Sequence, residues 1–190
     1  MVRTFLAIDL SDEAKDYLKT LQHTIKRCVK ADIRWVSTNL MHITLCFLGS
    51  IPEEQLKQVS EVSDIITHDT EQFSLQIKGI GSFPNFTKPK VIWAGISGDI
   101  ERLHGIKSDL DRLLHDSIGF QPDDRRFSPH LTLGRVKSGR NMSRLSKCLV
   151  ELTKEDLNGP SLKARELVVY KSVLSPKGPT YTRISAHQFS

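Results

Sequence analysis

Ser172-Val173-Leu174-Ser175-Pro176-Lys177-Gly178-Pro179-Thr180-Tyr181 joins two strand-like runs, residues 162–174 and 180–187, through a break holding two prolines and a glycine. Proline fixes φ and removes a backbone donor, while glycine admits positive φ. The break therefore reads as a tight reversal, with the runs on either side paired antiparallel. Upstream of this hairpin, helices and strands interleave. Residues 3–9 read as a buried strand. Ser11 is a helix N-cap followed by Asp12 and Glu13, and Ala14, Leu18, Leu21, Ile25 and Cys28 form one apolar helical stripe. Strands follow at 33–36 and at 41–48, the latter closed by Gly49. A second helix opens at Pro52 with the stripe Leu56, Val59, Val62, Ile65 and Ile66. Phe73, Leu75 and Ile77 alternate as in a half-buried strand, and residues 81–89 read as a loop. Next come a strand at 91–96, a third helix that ends before Gly119, a polar loop at 121–128, a strand at 130–136 and a helix at 142–152. The closing antiparallel pair and the mixed spacing define an α+β fold with largely antiparallel sheet. At 190 residues with no linker or low-complexity stretch, residues 1–190 make a single domain.

Composition excludes several classes. Hydrophobic residues are 38% and charged residues 26%, as in an ordinary globular protein. No apolar run approaches the roughly 20 residues that span a bilayer. Phe5-Leu6-Ala7-Ile8 is too short for a secretory signal core. Cys28, Cys46 and Cys148 are odd in number and lack zinc-site spacing, so a reduced, cytoplasmic protein without a membrane or metal is expected. The formal charge is +5, and residues 123–147 alone carry seven basic against two acidic side chains, or 7 − 2 = +5. All the excess charge is thus concentrated in one segment.

Two stretches inside predicted strands repeat: His42-Ile43-Thr44-Leu45 and His130-Leu131-Thr132-Leu133. With 12 Thr and 22 Leu in the chain, two of seven histidines followed by x-Thr-Leu is about a one-in-a-thousand coincidence. On a pleated strand, His42 and Thr44 share one face and Ile43 and Leu45 the other; the same holds for His130 and Thr132. Two facing strands of this kind would gather two imidazoles and two hydroxyls in one cleft. Imidazoles can divide into a base and an acid near neutral pH, and threonine hydroxyls can hold non-bridging phosphate oxygens. That is the inventory for metal-free phosphoryl transfer. Arg135 adds charge nearby, although strict alternation turns it away from Thr132. His23, His68, His104, His115 and His187 read as surface or filler, and Trp35, Trp93 and Phe86 as core.

These residues resemble the two-histidine (2H) phosphoesterases, and most closely their RNA 2',3'-cyclic phosphodiesterase branch, the LigT/ThpR type also described as 2'-5' RNA ligases. The likeness covers Arg3-Thr4-Phe5-Leu6-Ala7-Ile8-Asp9, Arg34-Trp35-Val36, both histidine motifs with Gly134-Arg135 after the second, Gly81-Ser82-Phe83-Pro84, Val91-Ile92-Trp93-Ala94-Gly95 and the closing hairpin. The resemblance implies a bilobal, pseudo-twofold fold of two similar lobes, with antiparallel sheets lining a central cleft and helices outside. It implies hydrolysis of an RNA terminal 2',3'-cyclic phosphate to a 2'-phosphate without cofactor. His42 would be the proton donor and His130 the acceptor, with Thr44, Thr132 and Arg135 binding substrate. RNA ends such as those of tRNA halves would be the partners of a monomeric enzyme, and 2'-5' ligation an accompanying activity. The alternatives are a phosphodiesterase acting on 2'-5' oligonucleotides or another cyclic nucleotide, and a non-catalytic RNA-binding module.

Overall fold

β1 (Val2–Ile8) is buried at every position except Arg3, the signature of a strand covered on both faces and both edges. Accordingly it lies inside a sheet, between β3 (Ile43–Ile51) and β8 (Glu166–Ser175), with β9 (Gly178–Gln188) outermost. The second sheet runs β2 (Ile33–Trp35), β6 (His130–Val136), β5 (Val91–Gly98), β4 (Phe73–Phe83) and β7 (Asn158–Ala164). Every pairing is antiparallel. The computed structural model describes residues 1–123, 126–176 and 178–190. Asp124 and Arg125 of the basic segment and Lys177 of the last turn lie outside the described residues.

Each sheet carries two helices on one side. α1 (Asp12–Cys28) and α4 (Met142–Leu152) cover the second sheet, while α2 (Leu56–His68) and α3 (Ile100–Ile118) pack together on the first. Ser11 caps α1, its hydroxyl accepting the Ala14 N–H at 3.3 Å. Gly119 ends α3 in the left-handed conformation at φ 69°. The helix-facing strand residues, among them Leu6, Ile43, Ile92, Leu131 and Leu133, are fully buried. Each contributes roughly 1.5–3 kcal/mol of burial. Among the described residues no helix is long and apolar enough to cross a membrane.

Three expectations need correction. The run 162–174 is two strands in different sheets, β7 and β8. Leu162 and Ala164 are buried on even positions and Leu167 and Val169 on odd ones, so the alternation slips at Arg165-Glu166, where the chain crosses between sheets. Residues 81–83 belong to β4 rather than to a loop. Gly81 serves close packing, because a Cβ there would lie 2.1 Å from the Trp93 ring. Finally, Cys28 and Cys148 are joined in a disulfide, against the reduced state expected. They lie 120 residues apart in sequence, but the packing of α1 on α4 sets their Cα atoms 6.2 Å apart, within bridging range. Cys46 is free and buried.

Candidate active site

The first motif sits at the start of β3, with His42 one residue ahead of the strand. Ala7 opposes Thr44 and Phe5 opposes Phe47, with register breaks at Leu45 and Leu48. The break at Leu45 returns Phe47 to the face shared by Phe5, Ala7 and Thr44. This is the side of the first sheet away from α2 and α3. His42 stacks on Phe5 at 4.7 Å, Phe5 stacks on Tyr170 at 5.1 Å, and Tyr181 meets His42 edge-on at 5.3 Å. The Tyr170 hydroxyl donates to the Asp9 carboxylate at 2.7 Å. Burial pushes the His42 pKa down to about 4, opposed by the Asp9 charge and by the Leu40 carbonyl.

The second motif is built alike. His130 opens β6, and its Nδ1 lies 2.7 Å from the Ser128 carbonyl oxygen, which can only accept. Nδ1 therefore carries the proton, and in the neutral ring Nε2 keeps its lone pair. Both rings lean on a carbonyl two residues back, Leu40 for His42 and Ser128 for His130. Phe83 meets His130 edge-on at 5.0 Å, with Trp93 at 6.2 Å. Burial lowers the His130 pKa, countered by the Ser128 bond and reinforced by Arg135.

Arg135 is better placed than alternation predicts. In the β5–β6 pairing Gly95 opposes His130, Trp93 opposes Thr132 and Val91 opposes Arg135, with a register break that leaves Leu133 unpaired. Val91, Trp93 and Gly95 share one face, so the bulge restores Arg135 to the side of His130 and Thr132. Its charge reaches His130 in its own sheet and Tyr181 in the other. Arg34, on β2, likewise crosses: its Nη2 lies 3.2 Å from where a Cβ on Gly178 would be. The helix-free faces of the two sheets thus look onto one another and line a cleft. His42 and Thr44 stand on one wall and His130, Thr132 and Arg135 on the other. Among the described residues neither threonine hydroxyl has a hydrogen-bond partner.

Sequence reasoning missed Phe5, Tyr170, Tyr181 and Arg34, which reach the cleft by cross-strand pairing, and Asp9, which follows β1 and is held there by the Tyr170 hydroxyl. Phe47, two-thirds exposed (67%), also stands on this face. Trp93, expected in the core, is half-buried against His130. Trp35 lies on the opposite face beneath Lys26, at 5.0 Å. His187 is not filler. It is buried, with Nδ1 2.6 Å from Asp64 and Nε2 2.8 Å from the Ser185 hydroxyl, tying β9 to α2. Among the described residues no three of His, Cys, Asp and Glu gather as a metal site.

Chemically, the cleft offers two imidazoles whose lowered pKa values favour the neutral ring at pH 7, and hydroxyl and guanidinium groups that have no hydrogen-bond or ion-pair partner among the described residues. This suits an anionic ligand, whose charge would raise both histidine pKa values. The LigT-like phosphoesterase family model matches the chain twice, over residues 8–93 and 96–181, so each matched half holds one histidine motif. The RNA 2',3'-cyclic phosphodiesterase of Methanothermobacter thermautotrophicus is 34% identical over 181 residues, 95% of each chain. That of Thermotoga maritima is 31% identical, over 99% of this chain and 96% of its own. The crystal structure of TT0787 from Thermus thermophilus superposes with TM-score 0.77 at 24% identity, covering 98% of this chain and 97% of the other. Escherichia coli LigT complexed with 3'-AMP superposes at 0.75 with 22% identity, covering 100% and 98%. With a match on each half and similarity running nearly end to end, the chain belongs to the LigT-like phosphoesterases.

Proposed function

We propose that this protein hydrolyses the 2',3'-cyclic phosphate at an RNA end to a 2'-phosphate, by acid–base catalysis between His130 and His42 and without a cofactor. The observation that carries the reading is the paired geometry. Two His-x-Thr-x strands face one cleft, and the Ser128 carbonyl fixes the proton of His130 on Nδ1, so that Nε2 is the base. The names of the relatives supply the substrate class.

In the proposed step, a water oxygen attacks phosphorus in line with the 3'-oxygen, and His130 Nε2 takes a water proton. The P–O3' bond breaks and its electron pair leaves on O3', which takes a proton from His42. The products are the 2'-phosphate and a free 3'-hydroxyl. The histidines then exchange one proton each with solvent. Thr44 and Thr132 donate to the non-bridging oxygens and offset the charge that builds on them. A free-protein pKa of about 4 leaves His42 protonated in only about one molecule in a thousand at pH 7. The bound phosphate anion, aided by Asp9, must therefore raise it. With the 5'-hydroxyl of a second RNA in place of water, the same displacement yields a 2'-5' linkage without ATP. The chain acts as one domain of two similar lobes, each supplying one histidine.

The deciding experiment incubates an oligoribonucleotide ending in a 2',3'-cyclic phosphate with the protein and excess EDTA. Complete conversion to the 2'-phosphate is expected. A 3'-phosphate product would overturn the assignment of the leaving oxygen, and unchanged substrate would overturn the reaction.

A further inference from the structure

Arg34 and Arg135 are directly opposed in the β2–β6 pairing, so their side chains leave the same face of the sheet. Both are exposed. Like charges at opposed positions destabilise a sheet, and among the described residues neither guanidinium is paired with a carboxylate. The surroundings keep Arg34 at the cleft. Its Nη2 occupies the space beside Gly178, at φ 130°, where any side chain would press on it at 3.2 Å. Two unneutralised cations are thus held together at one end of the cleft.

The spacing of Arg135 from Thr132 along β6 bears on the ligand. Because of the bulge at Leu133, Thr132 and Arg135 oppose Trp93 and Val91, which are two strand steps, or about 7 Å, apart. That is the order of the spacing between successive phosphates on one nucleotide chain. We propose that Arg34 and Arg135 together clamp the phosphate on the 5' side of the terminal nucleotide, so that the cleft prefers an RNA end to a lone nucleoside cyclic phosphate. Two guanidinium forks can hold a phosphate through parallel N–H···O bonds, and the anion removes the repulsion between them. The clamp rests on the reading of the cleft as a cyclic phosphodiesterase site.

The test compares cytidine 2'-phosphate with cytidine 2',5'-bisphosphate by calorimetric titration at fixed ionic strength. Turnover of cytidine 2',3'-cyclic phosphate is followed alongside, with and without a 5'-phosphate. The 5'-phosphate is expected to tighten binding and raise kcat/KM about tenfold. Both ratios should fall to near one in Arg34→Gln and recover only in part in Arg34→Lys. Arg34→Gln should melt no lower than wild type, since it relieves a like-charge pair; a merely structural arginine would lower the melting temperature and weaken both ligands alike. Equal affinity for the two ligands in wild type, or a 5'-phosphate advantage that survives Arg34→Gln, overturns the clamp. An Arg34-dependent preference for the bisphosphate with neither cyclic compound turned over would leave the clamp standing and remove the reaction.

Discussion

His42 stands in an environment that opposes its own charge. It is stacked on Phe5 and edged by Tyr181, with Asp9 and the Leu40 carbonyl pulling the other way. Two pH dependences follow. Folded His42 titrates at about 4 and an unfolded histidine near 6.5, so the unfolded chain takes up the proton first as pH falls. The stability from the neutral ring is full above pH 6.5 and is lost as pH drops toward 4, by on the order of 3 kcal/mol. Urea unfolding across that window should show a steeper loss for wild type than for His42→Gln, and parallel curves would contradict the buried titration. In kcat/KM, which reports the free protein, the proposed roles need His42 protonated and His130 neutral. The profile should peak below pH 6.5 and fall about tenfold per unit on its alkaline side. A plateau extending to pH 8 would remove His42 as the acid.

Among the elements, the strands that carry the motifs owe their geometry to bulges rather than to regular pleating. The repeated His-x-Thr-x pattern is legible because each His and Thr pair lies ahead of the register break, at Leu45 or at Leu133, so a period of two still decides their common face. Arg135 was misjudged because an unpaired Leu133 is set by the neighbouring strand and leaves no mark on the local pattern. For the same reason Arg34 is not legible: it enters the cleft through pairing with Arg135, about a hundred residues on, whereas Tyr181 lies in the predicted hairpin and is placed at His42 only by the packing of β9 on β8 and β1. The crossing at Arg165 did have a signal, the phase slip between Ala164 and Leu167, hidden by an apparently continuous apolar run. Gly81 resembled a loop residue because its real constraint is the indole across the sheet. Gly81→Ala should therefore displace Trp93, which lies beside His130, and cost about 1–3 kcal/mol by overpacking. Chemical denaturation checks this, and an undiminished midpoint would show that the ring can move aside freely.

On the scale of the whole molecule, chain ends and middle are interlaced: the first sheet takes β1, β3, β8 and β9, and the second takes the strands between. The disulfide from Cys28 to Cys148 closes a long loop across that arrangement and fastens α1 to α4. By chain entropy a loop of this length should contribute about 5 kcal/mol. Reductant, or Cys28→Ser, should lower the unfolding free energy by that amount, whereas identical unfolding with and without reductant would show the thiols unpaired in solution.

Interlacing also bears on the division of the chemistry, since each sheet carries one of the two motif histidines and neither carries both. If proton donor and acceptor serve one displacement, removing either leaves the other without a task. His42→Ala and His130→Ala should each cut kcat by about 10²–10⁴-fold, and the double variant should be scarcely slower than the worse single one. Both substitutions remove cleft-lining rings rather than helix-facing core, so the variants should still fold, with wild-type far-UV circular dichroism as the control. Multiplying losses in the double variant would mean that the histidines contribute independently, and the two walls of the cleft would then not act as a single site.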